Sequence, residues 1–513
     1  MNEASRTKRT LQNSRVSITL FLLQIIVGFY SRKIFLDYLG TEILGLNTTL
    51  GNILNFLNLA ELGVGTAMAT SLYKPIHNDD HESIREIISM EGLLYGRVAI
   101  VLGVLGLLTM VALPFIFPHT ECGLLYVYVA FGVFLSGSLM SYLWNYRQVL
   151  ISADQKGYKL QPWRYFVRFA KIGLQIFFLL VVHWGIWGWI FWEFVGNVAM
   201  VFVINAVLKK EYPWLRASRL KGKELYKKYY HLIKMTKQLV VHKLAYYVMG
   251  QTTPLVIYAF VSLTMVAYYS NYMVVVSYLV AAINLLYLGM GASIGSLVVE
   301  GNRQHTLDVF EELLVSRVWI SSIVCFGMYL FTGPFIIWWI GEKYLLSELT
   351  LALMVLGAFL NMSRGIIDPF KEAYQLFGDV WAPIAEAVIN LGSAILLGHL
   401  WGLNGILLGS NFGLIIMVIL WKPYYVFRHG LKMPCINYYM QYGLILSVLL
   451  FCAFLSVFIF KELKSDSTMT QLLYYIAIYL VFSITSYLVL VSVTSGMRRF
   501  NKRIWNIITS RQI

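Results

Sequence analysis

Acidic side chains interrupt several of the long apolar stretches in this sequence. Glu193 is surrounded by apolar and aromatic residues, and Asn197 follows it one helical turn later. A carboxylate inside a membrane span is costly and usually serves a function, such as carrying a proton or a metal cation. If these stretches cross a membrane, we expect a coupling site for H⁺ or Na⁺. The candidate carboxylates are Glu193, Asp37 and Glu61.

Polar side chains also share one side of the second apolar stretch. At 100° per residue, Thr48, Asn52 and Asn55 fall within an arc of about 60°, and Asn58 lies a little further round. Amides inside a membrane need partners, which are supplied either by hydrogen bonds to neighbouring helices or by a water-filled cavity. Asn284, in a later apolar stretch, is open to the same two interpretations.

The composition indicates that membrane-spanning helices position these groups. Of the 513 residues, 58% are hydrophobic and 13% are charged, whereas soluble proteins have about 25% charged residues. Apolar stretches of about 20 residues, the length that crosses a bilayer, recur along the chain. We therefore predict an all-α polytopic membrane protein with about fourteen transmembrane helices. The predicted spans are 16–38, 44–72, 92–116, 124–146, 163–183, 185–208, 238–262, 264–297, 313–340, 347–369, 381–400, 402–425, 437–460 and 470–496.

The net charge of +15 follows the predicted topology. The basic residues fall almost entirely in alternate loops, and the loops on the other side hold only Lys343, Lys461 and Lys464. By the positive-inside rule, both termini and the basic segment 209–237 are cytoplasmic. The charge therefore needs no nucleic-acid partner to explain it.

Several segments recur in the same order in the two halves of the chain. Glu91–Ile100 is similar to Glu311–Ile320, which places Arg97 and Arg317 at equivalent positions, and Trp184–Gly188 is similar to Trp401–Gly405. Because each repeat has an even number of spans, both copies have the same orientation in the membrane. The predicted domains are a six-helix lobe at 1–208, a basic cytoplasmic linker at 209–237, a second six-helix lobe at 238–430, and an appended two-helix hairpin with a basic tail at 431–513.

The sequence lacks common motifs of nucleotide-binding and hydrolytic enzymes. It lacks a phosphate-binding Gly-x4-Gly-Lys-Ser/Thr loop and a Gly-x-Ser-x-Gly nucleophile motif. Its four cysteines are scattered and form no metal-binding pattern. We expect no enzymatic activity, no cofactor and no bound metal.

The segment Ser31–Asn47, followed by Leu59–Ala67, resembles the N-terminal signature of the polysaccharide transporter family. These Wzx-type flippases for O-antigen and capsule belong to the multidrug/oligosaccharidyl-lipid/polysaccharide exporter superfamily. The resemblance implies outward transfer of undecaprenyl-pyrophosphate-linked oligosaccharide repeat units across a bacterial cytoplasmic (inner) membrane by alternating access. The implied partners are this lipid-linked oligosaccharide, membrane lipid, a polysaccharide polymerase and glycosyltransferases.

The resemblance also implies that spans 1, 2, 7 and 8 line a central cavity. A pyrophosphate that enters a cavity of low dielectric constant loses hydration, and fixed cations must compensate for the loss. The candidates are Arg32 and Lys33 in span 1 and His242 and Lys243 in span 7. Arg32 and Lys243 lie near the ends of their spans and could instead extend to the interface. In such a cavity, the polar residues of spans 2 and 8 would contact sugars.

Two other functions remain open. A cation-coupled multidrug exporter of the same superfamily would usually have twelve spans and acidic cavity residues, whereas the candidates here are mainly basic. A membrane-embedded polysaccharide polymerase or ligase would typically have a large periplasmic loop, whereas all the predicted periplasmic loops are short. The flippase is therefore the favoured function.

Overall fold

All regular secondary structure in the described part of the chain is helical. The computed structural model describes residues 3–58, 64–118, 120, 122–154, 156–216, 225, 228–230, 252–287, 290–374, 376, 378–379, 381–460 and 468–510.

The chain forms two compact units, Met1–Ala267 and Tyr268–Ile513. In the first unit, residues 252–260 are also helical. Its named helices are α1 (Glu3–Leu57), α2 (Val64–His77), α3 (His81–Ile116), α4 (Gly123–Trp144), α5 (Gln148–Ala153), α6 (Gly157–Leu180) and α7 (Gly185–Glu211).

Helix α1 contains a sharp change of direction at Gly40. The backbone there has φ 84° and ψ 175°, which glycine adopts far more readily than other residues. This point coincides with the predicted gap between spans 1 and 2. Beyond it, Leu46 and Leu50 are fully buried in the core of the unit, together with Met68 of α2 and Phe131 of α4.

Part of the predicted linker is fixed to helix α3. Lys228 Nζ and Tyr229 Oη each donate a hydrogen bond of 2.6 Å to Glu86 Oε2. The hydrogen bond with Glu86 raises the pKa of Lys228 above its usual value, because the carboxylate stabilises the charged ammonium. The basic segment therefore makes defined contacts with the first unit.

In the second unit the π-helical segments Ile415–Trp421 and Val426–Leu431 flank the short helix α13. Helix α8 begins at the end of the first unit and continues into the second. The helices are α8 (Leu263–Leu286), α9 (Met290–Val299), α10 (Arg303–Ile340), α11 (Glu348–Ala373), α12 (Trp381–Leu414), α13 (Lys422–Tyr425), α14 (Ile436–Ile459), α15 (Thr468–Val493) and α16 (Ser495–Ser510).

Helix α12 is a hairpin with two arms, because the backbone breaks at Trp401 and at Gly402, where φ is 55°. The arms meet through glycines. A Cβ atom on Gly409 would lie 2.4 Å from the carbonyl carbon of Ser393 on the first arm. Ser393 Oγ also donates a hydrogen bond of 2.7 Å to the carbonyl of Gly409. This hairpin contains predicted span 11 and the first half of span 12, and it brings their backbones into close contact.

Local geometry agrees at two of the places where the sequence repeats. Gly185 and Gly402, in the two matched Trp-Gly segments, have φ angles of 56° and 55°. Pro114 lies inside α3 and Pro334 inside α10, at matched positions. The repeat and the predicted domain boundaries remain predictions, but these local conformations are consistent with them.

The fold class is the predicted one, an all-α polytopic membrane protein. Among the described residues, ten helices are long and apolar enough to cross a membrane by length and composition. One of these ten, Trp381–Leu431, contains predicted spans 11 and 12 on either side of Trp401. Another, Thr19–Leu57, contains most of span 1 and the first half of span 2 on either side of Gly40. Of the other predicted spans, 163–183 corresponds to the basic helix α6, and most of 238–262 lies outside the described residues.

Candidate functional site

The charged candidates of the first span lie on helix α1, before the break at Gly40. Lys33 and Asp37 are one turn apart and both are exposed, whereas Arg32 is half-buried. Both signs of charge are therefore present on this part of α1, at positions that solvent, lipid head groups or a substrate can reach.

The polar residues of span 2 follow on α1 and are half-buried. Thr48 Oγ1 donates to a carbonyl one turn earlier, and Asn52 Nδ2 donates to the carbonyl of Thr48, each at 2.7 Å. Asn58 Nδ2 instead reaches Ser138 Oγ on α4, at 3.4 Å. The interhelical interpretation therefore fits Asn58, while Thr48, Asn52 and the half-buried Asn55 retain partly accessible side chains.

Glu193 links helix α7 to helix α6. Lys171 Nζ donates to its two carboxylate oxygens at 2.7 and 2.8 Å, and Gln175 Nε2 donates to Oε2 at 3.1 Å. Gly196 leaves room for the lysine, since a Cβ atom there would lie 2.4 Å from Lys171 Cδ. These contacts balance the charge of the carboxylate and link the two helices, and the coupling role of Glu193 stays a prediction.

Three of the predicted site residues, His242, Lys243 and Glu61, lie outside the described residues. The roles in anion binding and coupling assigned to them from the sequence remain predictions.

Asn284 belongs to a cluster around a buried arginine. Arg317, which is 3% exposed, donates from Nη2 to Asn284 Oδ1 at 3.0 Å and from Nε to the carbonyl of Met362 at 2.7 Å. Its guanidinium carbon lies 4.4 Å from the centroid of the Tyr287 ring. The arginine thus joins helices α8, α10 and α11, and the interhelical interpretation fits Asn284.

The residue that matches Arg317 in the first half of the sequence, Arg97, is exposed on α3. The two positions match in sequence but differ in burial.

The fold also brings together a second charged cluster, which the sequence pattern did not predict. Asp368 on α11 accepts hydrogen bonds of 2.9 Å from Arg364 Nε and from Lys422 Nζ of α13. Arg364 Nη1 also lies 3.4 Å from Glu386 Oε1 on the first arm of α12. Two cations and two carboxylates thus balance one another beside the π-helical segments, which often mark functional sites. Lys422 lies 54 residues from Asp368 in the sequence, so no local motif could indicate the pair.

The first unit contains a polar cavity of about 430 Å³. Glu91 is 1% exposed, and the rings of Tyr95 and Tyr142 stack with their centroids 5.5 Å apart. Gln148 and Arg164 contribute an amide and a guanidinium to the lining. Carboxylate, amide and tyrosine groups can hydrogen-bond to hydroxyls, and the rings offer apolar faces. This lining suits a polar ligand.

No protein-family model matches the sequence, and no curated protein matches it either. Solved structures do share its fold. The chain is similar to a lipid II flippase MurJ in an inward closed conformation, with a TM-score of 0.62 and 16% identity, over 93% of this chain and 99% of that chain.

Two multidrug transporter structures also share the fold. One is an inward-facing multidrug resistance MATE family transporter of the MOP superfamily, with a TM-score of 0.55 and 14% identity over 81% of this chain and 98% of that chain. The other is a mutant of the Vibrio cholerae MATE transporter VcmN, with a TM-score of 0.54 and 13% identity over 84% of this chain and 99% of that chain. At such low identity the likeness establishes the fold alone.

Proposed function

We propose that this chain is a flippase that moves undecaprenyl-pyrophosphate-linked oligosaccharide repeat units, of O-antigen or capsule, from the cytoplasmic to the periplasmic leaflet by alternating access. The observation that carries the proposal is the extent of the shared fold. The lipid II flippase structure matches 93% of this chain. The two multidrug transporters match 81% and 84% of it, although each is matched over at least 98% of its own length.

A pyrophosphate head group requires cations where the substrate leaves water. Arg32 and Lys33 carry positive charge on α1, and we propose that they act together with Lys243 and His242. At an effective dielectric constant of about 20, one unit charge 4 Å from another contributes about 4 kcal/mol before desolvation. One correctly placed cation therefore changes the affinity for the head group by orders of magnitude.

The polar cavity of the first unit supports a sugar-bearing substrate. Its lining combines the Glu91 carboxylate and the Gln148 amide with the stacked Tyr95 and Tyr142 rings. Hydroxyl-rich sugars need hydrogen-bonding groups of this kind, together with a flat apolar surface.

A cation-coupled multidrug exporter is the second candidate. The two MATE structures, with TM-scores of 0.55 and 0.54, favour it. A cell assay separates the two functions, because only a flippase restores surface polysaccharide to a strain that lacks its own flippase, and only an exporter raises the tolerance of a sensitive strain to cationic drugs.

We expect charge reversal at Arg32 or Lys243 to abolish transport. Arg32→Glu and Lys243→Glu would repel the pyrophosphate, whereas Lys243→Arg keeps the charge and should retain much of the activity. The measurement is the surface polysaccharide restored to a flippase-deleted strain, with the amount of protein in the membrane determined for each variant. Arg428→Glu, at an exposed position of the second unit, is the control and should act like wild type.

Wild-type amounts of polysaccharide in both Arg32→Glu and Lys243→Glu cells would contradict the assignment of these cations. Drug tolerance without any restored polysaccharide would instead identify the chain as an exporter.

A further inference from the structure

Helix α16 must lie at a surface of the membrane. A single residue separates it from α15, which is among the helices long and apolar enough to cross a bilayer. Its sequence, Ser495–Ser510, combines basic residues with apolar and aromatic ones. A helix of this composition next to a span is positioned to contact lipid head groups.

One face of α16 is attached to helix α10. Arg499 Nη2 lies 2.6 Å from Glu311 Oε2, and Arg503 Nε lies 2.9 Å from Glu312 Oε1. Met497, between these arginines and the start of the helix, is fully buried. Two of the basic residues of α16 thus already have acidic partners within the protein.

A different, neighbouring face of α16 carries the other two basic residues. At 100° per residue, Arg498, Lys502 and Trp505 fall within an arc of about 60°. All three are exposed, Trp505 by 68%. Within the described part of the chain, neither Arg498 nor Lys502 forms an ion pair. This face therefore presents available positive charge beside an exposed indole ring.

A pocket of about 360 Å³ lies next to this face and is lined by Tyr487, Asn501, Lys502, Ile504 and Trp505. Lysine ammonium, asparagine amide, tyrosine hydroxyl and indole N–H groups are all hydrogen-bond donors. Tyr487 also packs against Trp319 of α10, and the centroids of the two rings are 5.5 Å apart. The lining thus combines one full positive charge, several donors and an apolar side.

We propose that this pocket binds the phosphate head group of an anionic phospholipid. Lys502 supplies the charge, Asn501 and Tyr487 supply donors, and Trp505 and Ile504 contact the glycerol and upper acyl region. Tryptophan and basic residues are the side chains that favour the interface of a membrane, and each basic residue there attracts anionic lipid. The inference does not depend on which substrate the chain transports.

Lipid should stabilise the protein increasingly as its concentration rises above the Kd, because a ligand that binds only the folded state raises the free energy of unfolding. We would titrate the full-length protein in neutral detergent with phosphatidylglycerol and follow the midpoint of thermal unfolding. Lys502→Gln should need about fivefold more lipid for the same rise, since one basic residue near an anionic membrane surface contributes an effect of this size. Trp505→Ala should also need more lipid, because the contact of the indole ring is lost. Arg428→Gln removes an exposed charge elsewhere in the second unit and should respond like wild type.

Two further titrations identify the ligand. Zwitterionic phosphatidylethanolamine and inorganic phosphate, at the same concentrations, should raise the midpoint much less than phosphatidylglycerol. An equal rise with inorganic phosphate would mean that the site binds a soluble anion, and this would overturn the proposal. An unchanged phosphatidylglycerol response in both Lys502→Gln and Trp505→Ala would also overturn it. If either variant fails to elute as a single folded species, Asn501→Ala, which removes a hydrogen-bond donor from the same pocket, takes its place and should also need more lipid.

Discussion

The guanidinium of Arg317 is held on several sides by other residues of the second unit. It donates to Asn284 and to the carbonyl of Met362, and it lies over the ring of Tyr287. Gly365 makes this arrangement possible, since a Cβ atom there would lie 2.1 Å from Nη2. Burying a charge is tolerated only when its hydrogen bonds are satisfied, so the glycine and the arginine depend on each other.

At the residue scale, we predict that Gly365→Ala acts through Arg317. The new methyl group would push the guanidinium from its acceptors and cost roughly 1–3 kcal/mol, the usual penalty for a buried polar group left without its partners. The measurement is a double-mutant cycle on thermal unfolding in detergent. Gly365→Ala should be strongly destabilising in the wild-type background and nearly neutral when combined with Arg317→Ala.

The control for this cycle is Gly333→Ala on α10, where a Cβ atom would meet nothing within 4 Å. Equal and additive effects of Gly365→Ala in both backgrounds would show that the two residues are not coupled.

At the scale of elements, the hairpin α12 depends on close contact between its two arms. Asn390 Nδ2 donates to the carbonyl of Ser410 at 2.9 Å, and Cβ atoms on Gly405 or Gly413 would lie within 3.0 Å of backbone atoms of the first arm. Glycines four residues apart are typical of closely packed membrane helices. They allow backbone carbonyls and polar side chains of the two arms to meet.

We predict that Gly409→Ala separates the arms of α12 and destabilises the protein, whereas Gly392→Ala does not. A Cβ atom on Gly409 would lie 2.4 Å from backbone atoms of Ser393, while one on Gly392, in the same hairpin, would meet nothing within 4 Å. Overpacking of this kind costs typically about 1–3 kcal/mol. The midpoints of thermal unfolding of the two purified variants give the comparison, and a loss of the same size in both would argue against the contact.

At the scale of the whole molecule, the distribution of basic residues predicts the topology. The segment 209–237 is rich in lysine and arginine, and the short turn at Glu342–Tyr344 carries one lysine, Lys343. Basic residues are retained on the cytoplasmic side during insertion. We therefore expect the basic segment and both termini on the cytoplasmic side and the turn on the periplasmic side.

Single cysteines in a background without the four native ones test this topology. Lys343→Cys should react with a membrane-impermeant maleimide in intact cells, and Ser218→Cys should react only after the membrane is permeabilised. Reaction of Ser218→Cys from outside intact cells would reverse the predicted orientation.

The fold class and much of the helix layout follow from the amino-acid sequence alone. Long apolar stretches have no stable alternative to helices within a bilayer, because each backbone polar group must be paired inside its own segment. Two breaks in the helices occur at glycines, because Gly40 and Gly402 adopt positive φ angles that other residues avoid. Composition and local backbone preference both act over short distances, and a sequence reports them directly.

The pairing of the charged side chains, by contrast, depends on the tertiary structure. Glu193 lies in an apolar stretch, and its ionic partner, Lys171, is 22 residues away in the sequence. Glu91 and Glu311 match in sequence, yet the first is buried beside a cavity and the second pairs with Arg499 near the end of the chain. The energy of a buried charge depends on groups within a few ångströms in space, and those groups come from distant parts of the sequence.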